Sequence, residues 1–264
     1  MTPDKNGFSG DPAPKERIGD LNSWEWVVLD IDGVLIGVSE SYDRAVELTA
    51  EKLLAELGAD YQFSPTTIRS FRKKGQFGDD YKVTEGLVLA GTKENPEEFV
   101  AGFPAGKGLE WIRERTEMNI GRDRVKEIFD RYYLGGKYGD EITTTGLWER
   151  EEAMVDGPLL EKIETRFNLG FITGRSRQEV RLAGEILDYD FSRVITREDY
   201  HKPDPRALRT LVGGESGVYL GDTLNDRLLV ENFNDTGGEF DFIPVEDPSR
   251  TEGLLAKFIS DPDR

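Results

Sequence analysis

The sequence predicts an α/β protein: a Rossmann-like parallel sheet core that carries an inserted all-helical block. Three observations lead there. The apolar run "WVVLDIDGVL", Trp26 to Leu35, reads as a buried strand closed by a glycine turn. From Pro158 onward strand and helix patterns alternate, which implies βαβ units and a parallel sheet. Between the two, the chain is charged and helical and offers no convincing strand. One core strand therefore lies far upstream of its companions.

Residues 1–23 are polar, with proline and glycine but no apolar stretch, and read as a flexible leader rather than a signal peptide. The core is expected over 24–38 plus 151–264, and the helical block over 39–150. That block opens with "SESYDRAVELTAEKLLAELGAD", where Ala45, Leu48, Leu53, Leu54 and Leu57 approximate a helical stripe. Ser39 or Ser41 can cap this helix and Gly58 can stop it. Further helical patterns follow in "PTTIRSFRKKG", "DDYKVTEGLVLAG", "NPEEFVAGF", "GLEWIRERTEM" and "DRVKEIFDRYYLGG". The second half then reads as helix "PLLEKIETRF", strand "LGFIT", helix "SRQEVRLAGEIL" and strand "RVIT". A helix around "DPRALRTLV", strand "GVYLGD", helix "NDRLLVENF", strand "FDFIPV" and helix "EGLLAKFI" complete it.

Composition excludes several classes. With 52 acidic against 34 basic residues and a net charge of −18, the chain repels nucleic acid and anionic membranes. The acidity is spread along the chain and cysteine is absent, so the composition resembles that of a halophilic archaeal protein of the cytoplasm. Thiolate chemistry, disulfides and cysteine metal sites are excluded. The single histidine, His201, leaves no His-rich metal site and reads as solvated. No apolar stretch approaches the roughly 18 residues that a membrane span requires. The sequon at Asn234 is expected to be idle.

The chemistry gathers where the strands end. After the first strand come Asp30 and Asp32, and after "LGFI" come Thr173 and Gly174. Lys202 follows "RVIT", and Asp222 and Asp226 follow "GVYL". A doubly wound sheet brings these carboxyl ends together. Carboxylates crowded into one pocket cannot all be ionised without a cation, and Mg²⁺, served by oxygen ligands, is the natural one.

In order along the chain, "DIDGVL", "ITGR", "KPDP" and "GDTLND" resemble the four motifs of the haloacid dehalogenase-like hydrolases. The insertion point matches that family's subfamily I, with its helical C1 cap, and the likeness is greatest to the phosphoglycolate-phosphatase-like branch. The resemblance implies a Mg²⁺-dependent phosphatase acting on a small phosphorylated metabolite. It implies Asp30 as the nucleophile, forming an aspartyl-phosphate. Asp32 would be the general acid and then the base, its backbone carbonyl also ligating the metal. Thr173 and the Gly174 amide would hydrogen-bond the phosphoryl oxygens, and Lys202 would neutralise charge in the transition state. Asp222 would bind Mg²⁺ directly, and Asp226 directly or through water. Gly33 would let the chain turn beside the nucleophile, with a flap over Val34–Ser39.

Substrate contacts are less defined. Arg175 either touches substrate or forms an exposed salt bridge. Lys73 and Lys74, beside Arg72 and the glycine-bearing loop "GQFG", are candidates for a second anionic group of the substrate, and Phe77 of that loop for a cover over the site. "GFPAGKG" lacks the spacing and the hydroxyl of a P-loop and is rejected. A C-halide dehalogenase is disfavoured because it lacks a second aspartate at position 32. A phosphonatase would need a cap lysine such as Lys73 or Lys74. A phosphosugar mutase on the same fold remains an alternative. So does a phospho-acceptor signalling or binding module without turnover, although Asp32 supplies a means of hydrolysis.

Overall fold

The computed structural model describes residues 23–135 and 145–260, so the leader expected over 1–23 lies outside the described residues but for Ser23. Five parallel strands form the main sheet in the order β5-β4-β1-β6-β7. They are β1 (Trp26–Leu29), β4 (Asn168–Ile172), β5 (Val194–Ile195), β6 (Gly217–Gly221) and β7 (Phe240–Pro244). The strand encoded farthest upstream occupies the centre. Its "WVVL" is buried along its whole length, as an apolar run flanked on both edges and covered on both faces must be.

Successive side chains of β1 feed opposite faces of the sheet. Val27 and Leu29 join a cluster with α7 (Gly157–Glu164), α8 (Arg177–Leu187) and α11 (Thr251–Ser260). Trp26 and Val28 join the opposite cluster with α9 (Arg206–Val212) and α10 (Leu224–Asp235). Register decides what happens at the strand ends. Leu29 pairs with Phe171 of β4 and with Leu220 of β6, so Asp30, Thr173 and Asp222 emerge side by side.

The inserted block comprises α1 (Tyr42–Glu56), α2 (Pro65–Lys74), α3 (Asp80–Gly91), α4 (Pro96–Gly102), α5 (Leu109–Thr116) and α6 (Arg122–Leu134). These helices share one apolar cluster, to which Leu182 of α8 also contributes. Ser64 and Asp79 cap α2 and α3 through their side chains, as their residue types favour. Gly58 ends the first helix at φ +81°, as expected. Leu57, placed on the apolar stripe by periodicity, is instead exposed just beyond the last turn.

Three local expectations need correction. Ser41 stands at the start of α1 but does not cap it; its hydroxyl lies 3.1 Å from the Val38 carbonyl and 2.8 Å from Glu151 Oε1. Within the predicted flap, β2 (Ile36–Gly37) pairs antiparallel with β3 (Glu152–Ala153), joining the segment that leaves the core to the one that returns. Phe77 does not cover the site. It is buried in the block, with its ring centroid 4.5 Å from that of Phe71 and 5.9 Å from that of Phe103. Gly75 permits this, because a Cβ there would fall 1.9 Å from the Phe77 ring.

Candidate active site

Asp30 leaves the end of β1 almost wholly buried, with its Oδ1 2.7 Å from the Ile31 amide. Its Oδ2 lies 2.7 Å from Lys202 Nζ, and the same ammonium reaches Asp226 Oδ1 at 2.6 Å. Asp30, Asp222 and Asp226 each offer a carboxylate oxygen, and these atoms all lie within 4.8 Å of one another. Asp32 stands to one side, its Oδ1 held by Arg175 Nε at 2.7 Å. Thr173 is buried at the end of β4 and its Oγ1 accepts the Arg175 amide at 3.1 Å. Gly174 is exposed, with open space where a Cβ would stand. Thr173 does not cap the following helix; that task falls to Ser176, in a capping box with Glu179.

Gly33 is what lets Asp222 into the cluster. Its φ of +71° suits glycine, and a Cβ on it would lie 2.3 Å from Asp222 Oδ2. The Asp222 carboxyl is thus pressed against the backbone of the first motif although the residue as a whole is exposed. Asp226 is different. Its Oδ1 takes Lys202 and lies 3.0 Å from the Tyr219 hydroxyl, while its Oδ2 takes the Thr223 amide and hydroxyl. With both oxygens so occupied, its fit is to a water-bridged or supporting role rather than direct ligation.

One ammonium does not balance these acids. Burial, with Asp226, Asp222 and Asp32 nearby, lifts Asp30 well above the ordinary carboxylate range despite Lys202. Loss of water and the neighbouring Asp226 push Asp222 up to about 7. Burial also disfavours ionised Asp226, but Lys202 and the Thr223 hydrogen bonds outweigh it and hold this group below its usual value. Lys202 is driven the other way: desolvation opposes its charge, yet Asp226 and Asp30 raise its pKa. Buried carboxylates with hard oxygen donors and too few cations fit Mg²⁺.

No family model matches the sequence, and no curated protein sequence matches it. Among solved structures, the chain is similar to phosphatase Tt82 from Thermococcus thioreducens. The two are 44% identical over 89% of this chain and 98% of that one, with a TM-score of 0.80. The chain belongs to the haloacid dehalogenase-like hydrolases. A hydrolase from Pseudomonas syringae, 19% identical over 89% of this chain and 100% of that chain, shares the fold with a TM-score of 0.50.

The present chain is a phosphoric monoester hydrolase of this superfamily, with a helical block inserted into its core. Two substrate-contact expectations do not survive its geometry. Arg175 is neither exposed nor available, since its side chain is fully buried and its donors face Asp32, Glu151, Tyr133 and Glu179. Lys74 donates to the carbonyls of Val100 and Ala101 at the end of α4, so its charge serves the block itself. Lys73 is exposed one residue earlier on α2, and the contacts of the hydrolase do not tie it to the carboxylate cluster. Tyr219, Thr223, Tyr133 and Glu151 also support the site without being marked by the sequence, and Ser41, expected only as a helix cap, joins them. For Thr223 a signal existed: a threonine three residues before Asp226 is a capping-box spacing.

Proposed function

We propose that the chain is a Mg²⁺-dependent phosphatase that hydrolyses a small phosphomonoester through an aspartyl-phosphate on Asp30. The observation that carries this reading is the buried Asp30 carboxylate, gripped by Lys202 within hydrogen-bond reach and crowded by Asp222 and Asp226. A carboxylate so placed serves no packing purpose. Bound to Asp30, Asp222 and the Asp32 carbonyl, Mg²⁺ would supply positive charge that keeps the carboxylates ionised and draws in the phosphoryl group.

An Asp30 oxygen attacks phosphorus and the bond to the leaving oxygen breaks, with Asp32 delivering a proton to that oxygen. Water then attacks phosphorus, Asp32 takes its proton, and the bond to Asp30 breaks to release phosphate. Thr173, whose hydroxyl proton is free of the bond it accepts from Arg175, and the exposed Gly174 amide are suited to hold the phosphoryl oxygens. Lys202 offsets charge on Asp30 and on the group in transfer. The helical block over 39–150 would act as the cap of a core formed by 24–38 plus 151–264. Among the described residues no helix is long and apolar enough to cross a membrane, and a cytoplasmic small-molecule phosphatase accords with that.

The test is phosphate release from a panel of phosphorylated metabolites, with Mg²⁺ and with EDTA. Release that stops with EDTA and returns with Mg²⁺ is expected. Isomerisation without release would point to a mutase, and a long-lived phosphoprotein without turnover to a signalling module; either would overturn the reading.

A further inference from the structure

Arg175 forms a second polar centre that the steps above leave unused. Nε and Nη2 lie 2.7 and 2.6 Å from Asp32 Oδ1, and Nη2 also lies 2.7 Å from Glu151 Oε2. Nη1 faces the Tyr133 hydroxyl at 3.4 Å and the Glu179 carbonyl at 3.3 Å. Of the five N–H donors of a guanidinium, four are taken by hydrogen bonds to Asp32, Tyr133, Glu179 and Glu151, and Nη2 also ion-pairs with Asp32. Glu151 Oε1 in turn accepts the hydroxyls of Ser41 and Tyr133, each at 2.8 Å. Ser41 stands where the chain leaves the core, Glu151 where it returns, and Tyr133 on α6 of the inserted block. One buried cation thus connects the carboxylate two residues beyond Asp30 to both linkers and to the block.

Burying an arginine between two carboxylates is a poor way merely to glue two parts together, because apolar residues of similar volume do so at least as well. What the arrangement does supply is direction. A planar fork fixes an oxygen more closely than a point charge can. Nε donates to Oδ1, Nη2 stands 2.6 Å from the same oxygen, and the arginine leaves Oδ2 alone.

We propose that Arg175, backed by Glu151, is a positioning residue that aims the Asp32 carboxyl and makes that aim depend on the seating of the helical block. This rests on the acid–base reading of Asp32. The proton passes from Oδ2 to the leaving oxygen as the P–O bond breaks, and returns to Oδ2 from the attacking water. Arg175 stays charged throughout and exchanges no proton.

The experiment compares kcat/KM for phenyl phosphate and 4-nitrophenyl phosphate, with Mg²⁺, in the wild type, Asp32→Asn, Arg175→Met and Glu151→Gln. This ratio reports the steps through loss of the alcohol, and 4-nitrophenolate departs without a proton whereas phenolate needs one. In Arg175→Met, phenyl phosphate should lose about 10²-fold while 4-nitrophenyl phosphate loses less than about tenfold. KM should change little for either substrate. Glutamine at 151 keeps an acceptor for Ser41 and Tyr133 but removes the charge beside Arg175. Glu151→Gln should therefore show the same skew at about fivefold, and it decides the matter if Arg175→Met fails to fold by circular dichroism. Equal losses on both substrates, or none, in a folded variant would mean that the centre only anchors the block. If Asp32→Asn is skewed and the other two are not, the positioning role falls and the acid–base reading stands. Absence of skew in Asp32→Asn removes both.

Discussion

Two buried cations, Lys202 and Arg175, organise neighbouring parts of the molecule in opposite ways. Lys202 serves Asp30 and Asp226 with Asp222 close by, so negative charge exceeds positive and two of the three carboxyls are pushed up. Arg175 ion-pairs with Asp32 and Glu151 from a fully buried side chain, and its remaining nitrogen faces Tyr133 and Glu179. The first centre has an unmet demand for cations, which is what a ligand-binding site requires. The second is closed on itself, and a closed network fixes geometry. Lys202 therefore marks where chemistry happens, and Arg175 marks how its neighbour is held.

The difference can be broken in several ways. Asp30→Asn removes the group on which the open centre depends, and phosphate release should fall by about 10⁴-fold or more with the far-UV spectrum unchanged. Lys202→Met leaves Asp30 and Asp226 without their shared partner. Turnover should drop about 10²–10³-fold, and chemical denaturation should show a loss of about 3–5 kcal/mol that added Mg²⁺ partly restores. Gly33→Ala drives a methyl group into Asp222 at a backbone conformation that suits glycine. Mg²⁺ affinity, measured by calorimetry, should weaken at least about tenfold, with about 1–3 kcal/mol lost from strain.

Acidity sharpens the contrast. Loss of water and the nearby Asp226 push Asp222 up to about 7 from an ordinary 3.8, and burial shifts Asp30 the same way. Between those values the folded state binds more protons than the unfolded one. The associated stability is full below about pH 4 and is lost as pH rises through about 7. Mg²⁺ replaces the proton, so the rise in Tm that it causes should grow from about pH 5.5 to pH 8. A metal-induced shift that is constant across this range would contradict the electrostatics of the open centre. The smallest expected effect is general: with a net charge of −18, Tm should climb by a few degrees as KCl screens the surface.

The open centre was legible in the sequence because Asp30, Thr173 and Asp222 each follow a buried apolar strand, Lys202 and Asp226 lie a few residues past strand ends, and a parallel sheet collects such positions at one end. Asp30, Thr173, Lys202, Asp222 and Asp226 all reach that end. The closed centre was not legible. Glu151 sits in "WEREEAM" among other acids with nothing local to single it out, and its partners Ser41 and Tyr133 are distant in sequence. Arg175 was noticed for its charge, but a guanidinium's burial is decided by what folds over it. Phe77 misled because its glycine neighbours suggest a surface loop, whereas Phe71, Phe99, Phe103 and Trp111 supply an aromatic nest that draws it inward. The strands β2 and β3 escaped because two residues carry no periodicity.

That two-residue ribbon has a mechanical consequence. Ile36 pairs with Ala153 and Gly37 with Glu152, so the outgoing and incoming tethers run shoulder to shoulder. Backbone hydrogen bonds between the two tethers oppose their sliding past each other. The six helices described in the inserted block therefore join the sheet through one paired stalk in place of two separate cords.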